Sequence, residues 1–184
     1  MEPQYAVIAF PVFDCADSVE AIRRRFDPLA ALLAAHVTLV FPFKDDLGEA
    51  GLADHVVRAV EGVPPFVIAL TELSMETGGY LFLTVGAGAE CFRDLHARLY
   101  SGPLARHRST AHAYRPHVTI GRRADHHGLA EARQEAHLAL GLPVGGAVAD
   151  LAIFRLDGPE RGAVVRRVAL GTDGGHAGHL ARGA

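Results

Sequence analysis

The amino-acid sequence predicts an α+β fold of two pseudo-symmetric lobes, each a mainly antiparallel sheet backed by helices, with a central cleft. Three observations support this prediction. The 184-residue chain is 49% hydrophobic and 21% charged, which is typical of a folded globular domain. Short apolar runs rich in β-branched residues alternate with segments of helical periodicity. The order strand, helix, strand, strand occurs twice, each time beginning at a His-Val-Thr-aliphatic tetrapeptide.

The first half of the chain supplies four predicted strands and two helices. Tyr5 to Val12 form a short apolar run that ends near Pro11 and an Asp, which predicts a buried strand. Val19, Ile22 and Phe26 recur at helical spacing in the next segment, 18–26. The remaining elements of this half are a strand at 36–43, a helix at 52–61 that stops at Gly62, and strands at 65–75 and 79–86 joined by a Glu-Thr-Gly-Gly turn.

The second half repeats this pattern. Its predicted elements are a helix at 89–100, a strand at 114–122, a helix at 128–142, and strands at 145–157 and 161–171 around a Gly-Pro-Glu-Arg-Gly turn. His36 and His117 are 117 − 36 = 81 residues apart, and the same offset carries Tyr80, which opens one strand, onto Arg161, which opens its counterpart. We therefore expect one bilobal domain with an internal duplication over residues 1–171, followed by a frayed tail at 172–184.

Charge, cysteine content and hydropathy exclude several function classes. The net charge of −3 and the pI of about 6.4 lack the basicity of proteins that grip long polynucleotides, but they are compatible with a nucleotide or an RNA terminus as substrate. Cys15 and Cys91 are the only cysteines and form no CxxC pattern, which argues against a disulfide framework or a thiolate metal site. The N-terminal segment has the features of neither a signal peptide nor a membrane span, so we expect a cytoplasmic protein.

The two tetrapeptides, at 36–39 and 117–120, place polar and apolar side chains on opposite faces of a strand. Side chains alternate along a strand, so each His shares a face with the Thr two residues later, while the aliphatic side chains face the core. If the lobes pack about a twofold axis, two imidazoles and two hydroxyls converge on the cleft. Such a set suits a phosphodiester, because one imidazole can accept a proton, the other can donate one, and the hydroxyls can bind phosphate oxygens. For either motif alone, a core histidine is the alternative interpretation; the matched pair favours a site.

The paired motifs, within the phrases HVTLVFPF and YRPHVTIGR, resemble the two-histidine phosphoesterase superfamily, which includes the 2′,5′-RNA ligase-like and cyclic phosphodiesterase proteins. The resemblance covers residues 5–171. It implies that His36 and His117 are the acid and base, and that Thr38 and Thr119 bind phosphate. It also implies chemistry at nucleotide or RNA 2′,3′-cyclic phosphates or at 2′,5′ linkages, without choosing among them. Our working assignment makes His117 the base, although the near symmetry of the site leaves the roles open.

Further residues near the motifs are candidates for substrate binding. Arg123 has the strand parity of the second motif's His and Thr, whereas Arg122 points away from the cleft if the strand continues that far. Phe43 and Tyr114 flank the motifs and are candidates to stack on a base. Phe41 is a candidate of the same kind, but it has the parity of Val37 and Leu39, and a core position is at least as compatible with its pattern.

A basic segment precedes the second motif. Its positively charged or titratable members are Arg106, His107, Arg108, His112 and Arg115. The segment could steer an anionic substrate, with Arg115 as the candidate contact, and a solvated basic loop is the alternative. The histidines at 126–127 and 176–179 have no acidic or cysteine cluster to complete a metal site, so we expect neither a metal nor a cofactor.

The leading hypothesis is therefore a metal-independent hydrolase, a phosphodiesterase acting on nucleotide or RNA 2′,3′-cyclic phosphates or 2′,5′ linkages. The alternatives are an RNA 2′,5′-ligase of the same fold, a non-catalytic RNA- or nucleotide-binding module, and a metabolic enzyme that uses the same histidines on a cyclic phosphate. We expect a nucleotide or RNA terminus as partner, a monomeric protein, and no membrane association.

Overall fold

Nine β-strands and four α-helices form the part of the chain that the computed structural model describes, residues 3–44, 47–111, 113–158 and 161–171. In chain order the elements are β1 (Gln4–Ala9), β2 (Val12–Phe13), α1 (Ala16–Phe26), β3 (Val37–Phe43), α2 (Gly48–Val60), β4 (Phe66–Glu76), β5 (Tyr80–Val85), α3 (Ala89–Leu99), β6 (His117–Arg122), α4 (His126–Leu140), β7 (Val144–Val148), β8 (Asp150–Gly158) and β9 (Arg161–Ala169). A 3-10 helix at Gly102–His107 follows α3. The predicted tail at 172–184 lies outside the described residues.

The nine strands form one sheet in the order β2-β7-β4-β5-β6-β3-β1-β8-β9, and the neighbouring strands pair antiparallel. The predicted α+β class with mainly antiparallel pairing is confirmed. Its two parts meet at β3 and β6: a first half-sheet, β3-β1-β8-β9, and a second half-sheet, β6-β5-β4-β7-β2. Each half-sheet combines one motif strand with the hairpin that follows the other motif, since β4 and β5 join β6, while β8 and β9 join β3 through β1.

Two predicted strands are divided in the structure. The first apolar run breaks at Pro11: β1 ends at Ala9, and β2 pairs with β7 at the far edge of the sheet. Proline has no amide hydrogen to donate to a ladder, which accounts for the break. The predicted strand at 145–157 divides at Ala149 into β7 and β8, which belong to different half-sheets. No glycine or proline marks this second division.

The apolar faces of the two motif strands form the centre of the core. Val37, Leu39, Val118 and Ile120 are each 0% exposed. Helices α1 and α4 pack on each other and against the second half-sheet, while α3 packs on β3 and α2 packs on α3 and β9. Burial of these four side chains holds β3 and β6 in one orientation, so their polar side chains must emerge on the opposite face.

The predicted turn at 76–79 joins β4 to β5, and Glu76 pairs directly with Tyr80. Gly79 has a φ of 77°, in the left-handed region that favours glycine, and a Cβ at this position would lie 1.8 Å from the carbonyl oxygen of Arg123. The amide of Arg123 donates a hydrogen bond to the Gly79 carbonyl at 2.9 Å. The β4–β5 hairpin therefore fixes the position of the chain just after β6 through this hydrogen bond.

Candidate active site

The structure brings the two motifs together in adjacent strands. Val37 of β3 pairs with Val118 of β6 in an antiparallel ladder. One step along each strand from this pair, His36 lies opposite Thr119, and Thr38 lies opposite His117. Direct partners in an antiparallel pair share a face, with Cβ atoms about 4.5–5.5 Å apart. The two imidazoles and two hydroxyls therefore occupy the corners of one small patch on the face opposite the core.

Both histidines are oriented in the same way. Nδ1 of His36 lies 2.8 Å from the carbonyl oxygen of Ala34, and Nδ1 of His117 lies 2.7 Å from that of Arg115. A carbonyl oxygen can only accept a hydrogen bond, so each Nδ1 carries the proton and donates it. This arrangement fixes the tautomer and leaves Nε2 of each ring to accept or donate a proton at a substrate.

The surroundings lower the pKa of both imidazoles. Burial lowers the pKa of His36 to about 4, and the positive charge of Arg23 acts in the same direction against the opposing hydrogen bond to Ala34. Burial also lowers the pKa of His117, to which Arg115 contributes, while its backbone hydrogen bond and the Glu76 carboxylate oppose the shift. Both rings are therefore neutral at neutral pH before an anion binds.

The motif threonines are held by their backbone rather than by their side chains. The carbonyl of Thr38 accepts a hydrogen bond from the Tyr114 hydroxyl at 3.0 Å, and the carbonyl of Thr119 accepts one from Nε of Arg23 at 3.2 Å. Within the residues that the structure describes, neither threonine hydroxyl has a hydrogen-bond partner. Both half-buried hydroxyls are thus available to a ligand at the patch.

Aromatic rings flank the patch on both sides, and sequence reasoning missed them. His117 stacks on Phe82 of β5 with centroids 3.6 Å apart, and the next ring along the strand, Tyr80, lies 5.8 Å from Phe82. On the other side, the Phe10 ring lies 6.3 Å from His36. Alternation along β5 could have indicated that Tyr80 and Phe82 share a face. Their proximity to His117 depends on the pairing of β5 with β6, which the sequence alone does not specify.

Arg122 and Arg167 place positive charge over these rings. The guanidinium of Arg122 lies 4.8 Å from the Tyr80 centroid, and that of Arg167 lies 5.1 Å from the Phe10 centroid. Arg167 also pairs with Asp150 at 2.8 Å. The patch is therefore bordered by an arginine on each side, although the chain as a whole carries a net charge of −3.

The side chain of Arg123 does not face the patch, although the alternation of side chains along the strand predicted that it would. Thr119 pairs with Phe82, but Gly121 pairs with Leu81, so β6 contains one extra residue at this point. Such a bulge reverses the alternation of side chains that follow it. Arg122 consequently shares the face of the motif side chains. Arg123 instead follows the strand and donates from Nη2 to the carbonyl of Arg25 at the end of α1, at 2.7 Å.

A similar reversal affects Phe41 but not Phe43 of β3. Phe43 is only 5% exposed and belongs to the core, where its ring contacts that of His107 at 4.9 Å. Phe41, with the parity of the core-facing residues, is 49% exposed. The pairing of β1 with β3 shifts register between Val7 and Ile8 and again between Tyr5 and Val7. The first shift reverses the alternation and exposes Phe41, and the second restores it, so Phe43 is buried with the parity of the core-facing residues.

Tyr114 and Arg115 lie next to the second motif but are already engaged. The ring of Tyr114 stacks on His96 at 3.8 Å, and burial raises the pKa of its hydroxyl. Arg115 is exposed and forms an ion pair with Glu76, whose carboxylate also accepts a hydrogen bond from Ser74. Tyr114 therefore supports the backbone at Thr38, whereas Arg115 remains at the margin of the patch.

The described residues contain no group of three or more His, Cys, Asp or Glu that could hold a metal ion. His126 and His127 open α4, whereas the histidines at 176–179 and His112 of the basic segment lie outside the described part of the chain. None of the helices described has the length and apolar character needed to cross a membrane.

Comparison with known families gives a match that spans most of the chain. A family model described as the 2′-5′ RNA ligase superfamily matches residues 11–160, which include both motif strands. A curated protein of Geobacillus thermodenitrificans (strain NG80-2), named "Putative phosphoesterase", is 30% identical over 122 residues, covering 65% of this chain and 69% of that protein.

Solved structures share the fold at low sequence identity. The crystal structure of E. coli LigT complexed with 3′-AMP has a TM-score of 0.63 at 20% identity, covering 93% of this chain and 100% of that one. The crystal structure of TT0787 of Thermus thermophilus has a TM-score of 0.62 at 16% identity, covering 94% of this chain and 100% of that one. Both chains therefore have the same architecture as the sheet and helices described above.

Proposed function

The chain belongs to the 2′-5′ RNA ligase superfamily, and from this membership we propose that it is a metal-independent phosphodiesterase acting on nucleotide or RNA 2′,3′-cyclic phosphates or 2′,5′ linkages. The observation that supports this function most strongly is the patch of two imidazoles and two hydroxyls, in which both Nδ1 atoms are engaged with backbone carbonyls. Such a patch supplies a base, an acid and two hydroxyls that can donate hydrogen bonds to a phosphate, and this chemistry needs no metal ion.

The environments of the two rings favour different roles. Burial, with a smaller contribution from Arg23, lowers the pKa of His36 to about 4 and so keeps its Nε2 lone pair available; we therefore assign His36 as the base. Burial and the charge of Arg115 lower the pKa of His117, but its backbone hydrogen bond, Glu76 and the face of the Phe82 ring all favour the protonated ring, so we assign His117 as the acid. This proposal reverses our working assignment from the sequence, which made His117 the base. The sequence alone does not reveal that Arg23 lies near His36 or that Phe82 stacks on His117.

In the proposed reaction, Nε2 of His36 takes a proton from a water molecule as the water oxygen attacks phosphorus. The bond between phosphorus and one ribose oxygen breaks, and Nε2 of His117 gives its proton to that oxygen. The product is a phosphomonoester with a free ribose hydroxyl. Because binding of an anion raises the pKa of nearby imidazoles, the substrate itself promotes protonation of His117. With the 5′-hydroxyl of a second RNA end in place of water, attack on a 2′,3′-cyclic phosphate forms a 2′,5′ linkage as the bond from phosphorus to the 3′-oxygen breaks, and His117 gives its proton to that oxygen.

The remaining groups of the patch suit the rest of a nucleotide. The Thr38 and Thr119 hydroxyls can donate to the non-bridging phosphate oxygens from opposite corners. Phe10 and Tyr80, each with an arginine above it, lie where nucleosides on either side of the phosphate would extend. E. coli LigT, which shares the fold, has been crystallised with 3′-AMP, a nucleotide with a ribose phosphate.

The test is turnover of 2′,3′-cyclic mononucleotides, of an oligonucleotide ending in a 2′,3′-cyclic phosphate, and of a 2′,5′-linked dinucleotide, each in the presence of EDTA. We expect turnover of at least one by the wild type and losses of about a thousandfold in His36→Ala and His117→Ala. His137→Ala, a change at an exposed position on α4, serves as the control and should retain full activity. Binding without turnover would favour the non-catalytic module, and full activity in His117→Ala would overturn the mechanism.

A further inference from the structure

Arg23 of α1 is fully buried where this helix packs on β6. Its Nε donates to the carbonyl of Thr119 at 3.2 Å and to the Asp27 carboxylate at 3.1 Å, and its Nη2 donates to the same carboxylate at 2.8 Å. Its Nη1 donates to both carboxylate oxygens of Glu20, at 3.1 and 3.3 Å. Burial of a guanidinium is costly unless its donors are paired, and here all three nitrogens have acceptors.

The Glu20 carboxylate carries this network to the first motif. Its Oε1 accepts a hydrogen bond from the backbone amide of Ala35 at 2.5 Å. Ala35 lies between His36 and Ala34, whose carbonyl holds the Nδ1 proton of His36. A continuous chain of hydrogen bonds therefore runs from the second motif strand, through Arg23 and Glu20, to the segment that orients the first histidine.

We propose that Arg23 and Glu20 are positioning residues that set the two histidines at the separation one phosphate requires. In the described residues, the ladder between β3 and β6 has a single register pair, Val37 with Val118. The buried network supplies a second connection between the two strands, on the side where His36 faces Thr119. The inference rests on the proposed function, because the separation matters for rate only if both imidazoles act on one substrate. Displacement of a catalytic group by about 1 Å can cost about a hundredfold in rate.

Glu20→Ala removes the acceptor for the Ala35 amide while leaving the pair between Arg23 and Asp27. We expect kcat for the preferred substrate to fall about 10- to 100-fold with KM within about twofold, because geometry rather than binding is disturbed. Glu20→Gln retains an acceptor oxygen for Ala35 and should recover kcat to within about threefold of wild type.

Glu135→Ala is the matched control. The Glu135 side chain is 33% exposed, compared with 29% for Glu20, and it pairs at 2.5 Å with Arg25, which also belongs to α1. Among the described residues, it forms no hydrogen bond or ion pair with either motif. Its kcat should equal that of the wild type. If Glu20→Ala also retains wild-type kcat, or if its loss is accompanied by the same loss in Glu135→Ala, the positioning role is wrong.

A second readout does not depend on turnover. In Glu20→Ala, hydrogen exchange at the Ala35 amide should accelerate and His36 should populate both imidazole tautomers, as seen in long-range proton–nitrogen spectra, while His117 keeps its single tautomer. An inactive wild type would overturn the proposed function, and these spectra would still decide the positioning. Unchanged exchange at the Ala35 amide together with an unchanged His36 tautomer would overturn the positioning role.

Arg23→Lys keeps the buried charge but loses the forked donor geometry, so a folded variant should show the same fall in kcat as Glu20→Ala.

Discussion

His117 stacks face to face on Phe82, with ring centroids 3.6 Å apart and ring planes inclined by 19°. Burial lowers the pKa of His117, and the Glu76 carboxylate opposes this shift. The negative face of the Phe82 ring should oppose it too, because an aromatic face attracts a cation. This relationship distinguishes His117 from His36, which has no ring in face-to-face contact among the described residues.

Phe82→Leu keeps an apolar side chain in β5 but removes the aromatic face. We expect the pKa of His117 to fall, so that the acid loses its proton at lower pH and the basic limb of the kcat/KM profile moves to lower pH. A contact of this kind contributes about 0.5–1 kcal/mol, which corresponds to about a 2- to 5-fold loss of activity on the alkaline side. Phe41→Leu, at an exposed position of β3, should leave the profile unchanged. A basic limb that stays in place in Phe82→Leu would refute the contribution of the stack.

Arg122 and Arg123 can serve as test and control. Because of the bulge in β6, the Arg122 side chain lies over Tyr80 at the patch, whereas the Arg123 side chain bonds to the carbonyl of Arg25. We expect Arg122→Ala to raise KM for an oligonucleotide substrate by about tenfold with little change in stability, since its guanidinium borders the patch. Arg123→Ala should leave KM unchanged and lower the free energy of unfolding by about 1 kcal/mol, because it loses the hydrogen bond to Arg25. Steady-state kinetics and urea unfolding measure the two effects. The reverse pattern would show that the alternation continues unbroken through β6.

Tyr114 fixes the first motif strand through its hydroxyl, which donates to the Thr38 carbonyl at 3.0 Å. Tyr114→Phe removes this bond and should lower stability by about 1 kcal/mol and kcat by a few-fold, because Thr38 is less firmly placed. Tyr100→Phe is the control: its hydroxyl accepts from the Phe41 amide at 3.1 Å, farther along the same strand. A comparable loss of stability without a loss of kcat is expected there. Equal kcat values in the two variants would contradict a specific role for Tyr114.

The low pKa of His36 predicts a pH dependence of stability. Burial lowers this pKa from 6.5 to about 4. Between these values the unfolded chain binds a proton at this position and the folded protein does not, so stability falls as the pH is lowered through this window. With an allowance for the partial exposure of the ring, the contribution is about 2 kcal/mol.

Urea unfolding of the wild type and of His36→Asn, at about pH 7 and about pH 4.5, isolates this contribution. The two proteins have every other ionisable group in common, so the difference between them reports His36 alone. We expect the wild type to lose about 2 kcal/mol more than the variant on acidification. Parallel losses in the two proteins would show that the His36 ring is not desolvated.

The arrangement of the two motifs could be predicted from the sequence because it depends on strand alternation and on the repeat. Val37 and Val118 face the core, so the His and Thr on either side must face away from it. What could not be predicted are the irregularities. The extra residue in β6 moves Arg122 onto the patch, and a register shift beside β3 exposes Phe41. A bulge depends on the pairing of two strands, and one strand's pattern does not reveal it.

The tertiary contacts of the two motif strands could not be predicted from the sequence either. Phe82 follows the first motif in the chain, yet its ring stacks on the histidine of the second, because the hairpin of β4 and β5 joins β6. Arg23 belongs to a segment whose apolar periodicity predicts a helix, and nothing in that periodicity indicates that one of its arginines is fully buried. Both contacts arise from tertiary packing. The domain limits at 1–171 and the monomeric state stay predictions.

The central claim, that His36 is the base and His117 the acid at one phosphate, is tested most directly by changing the leaving group. kcat/KM is measured for the wild type, His36→Ala and His117→Ala on a 2′,5′-linked dinucleotide and on a nucleoside phosphodiester with a 4-nitrophenolate leaving group, which departs without protonation. We predict that His117→Ala is inactive on the dinucleotide but recovers most of the wild-type rate on the nitrophenyl ester, while His36→Ala is inactive on both. Recovery in His36→Ala instead, or wild-type activity of either variant on the dinucleotide, would contradict the account.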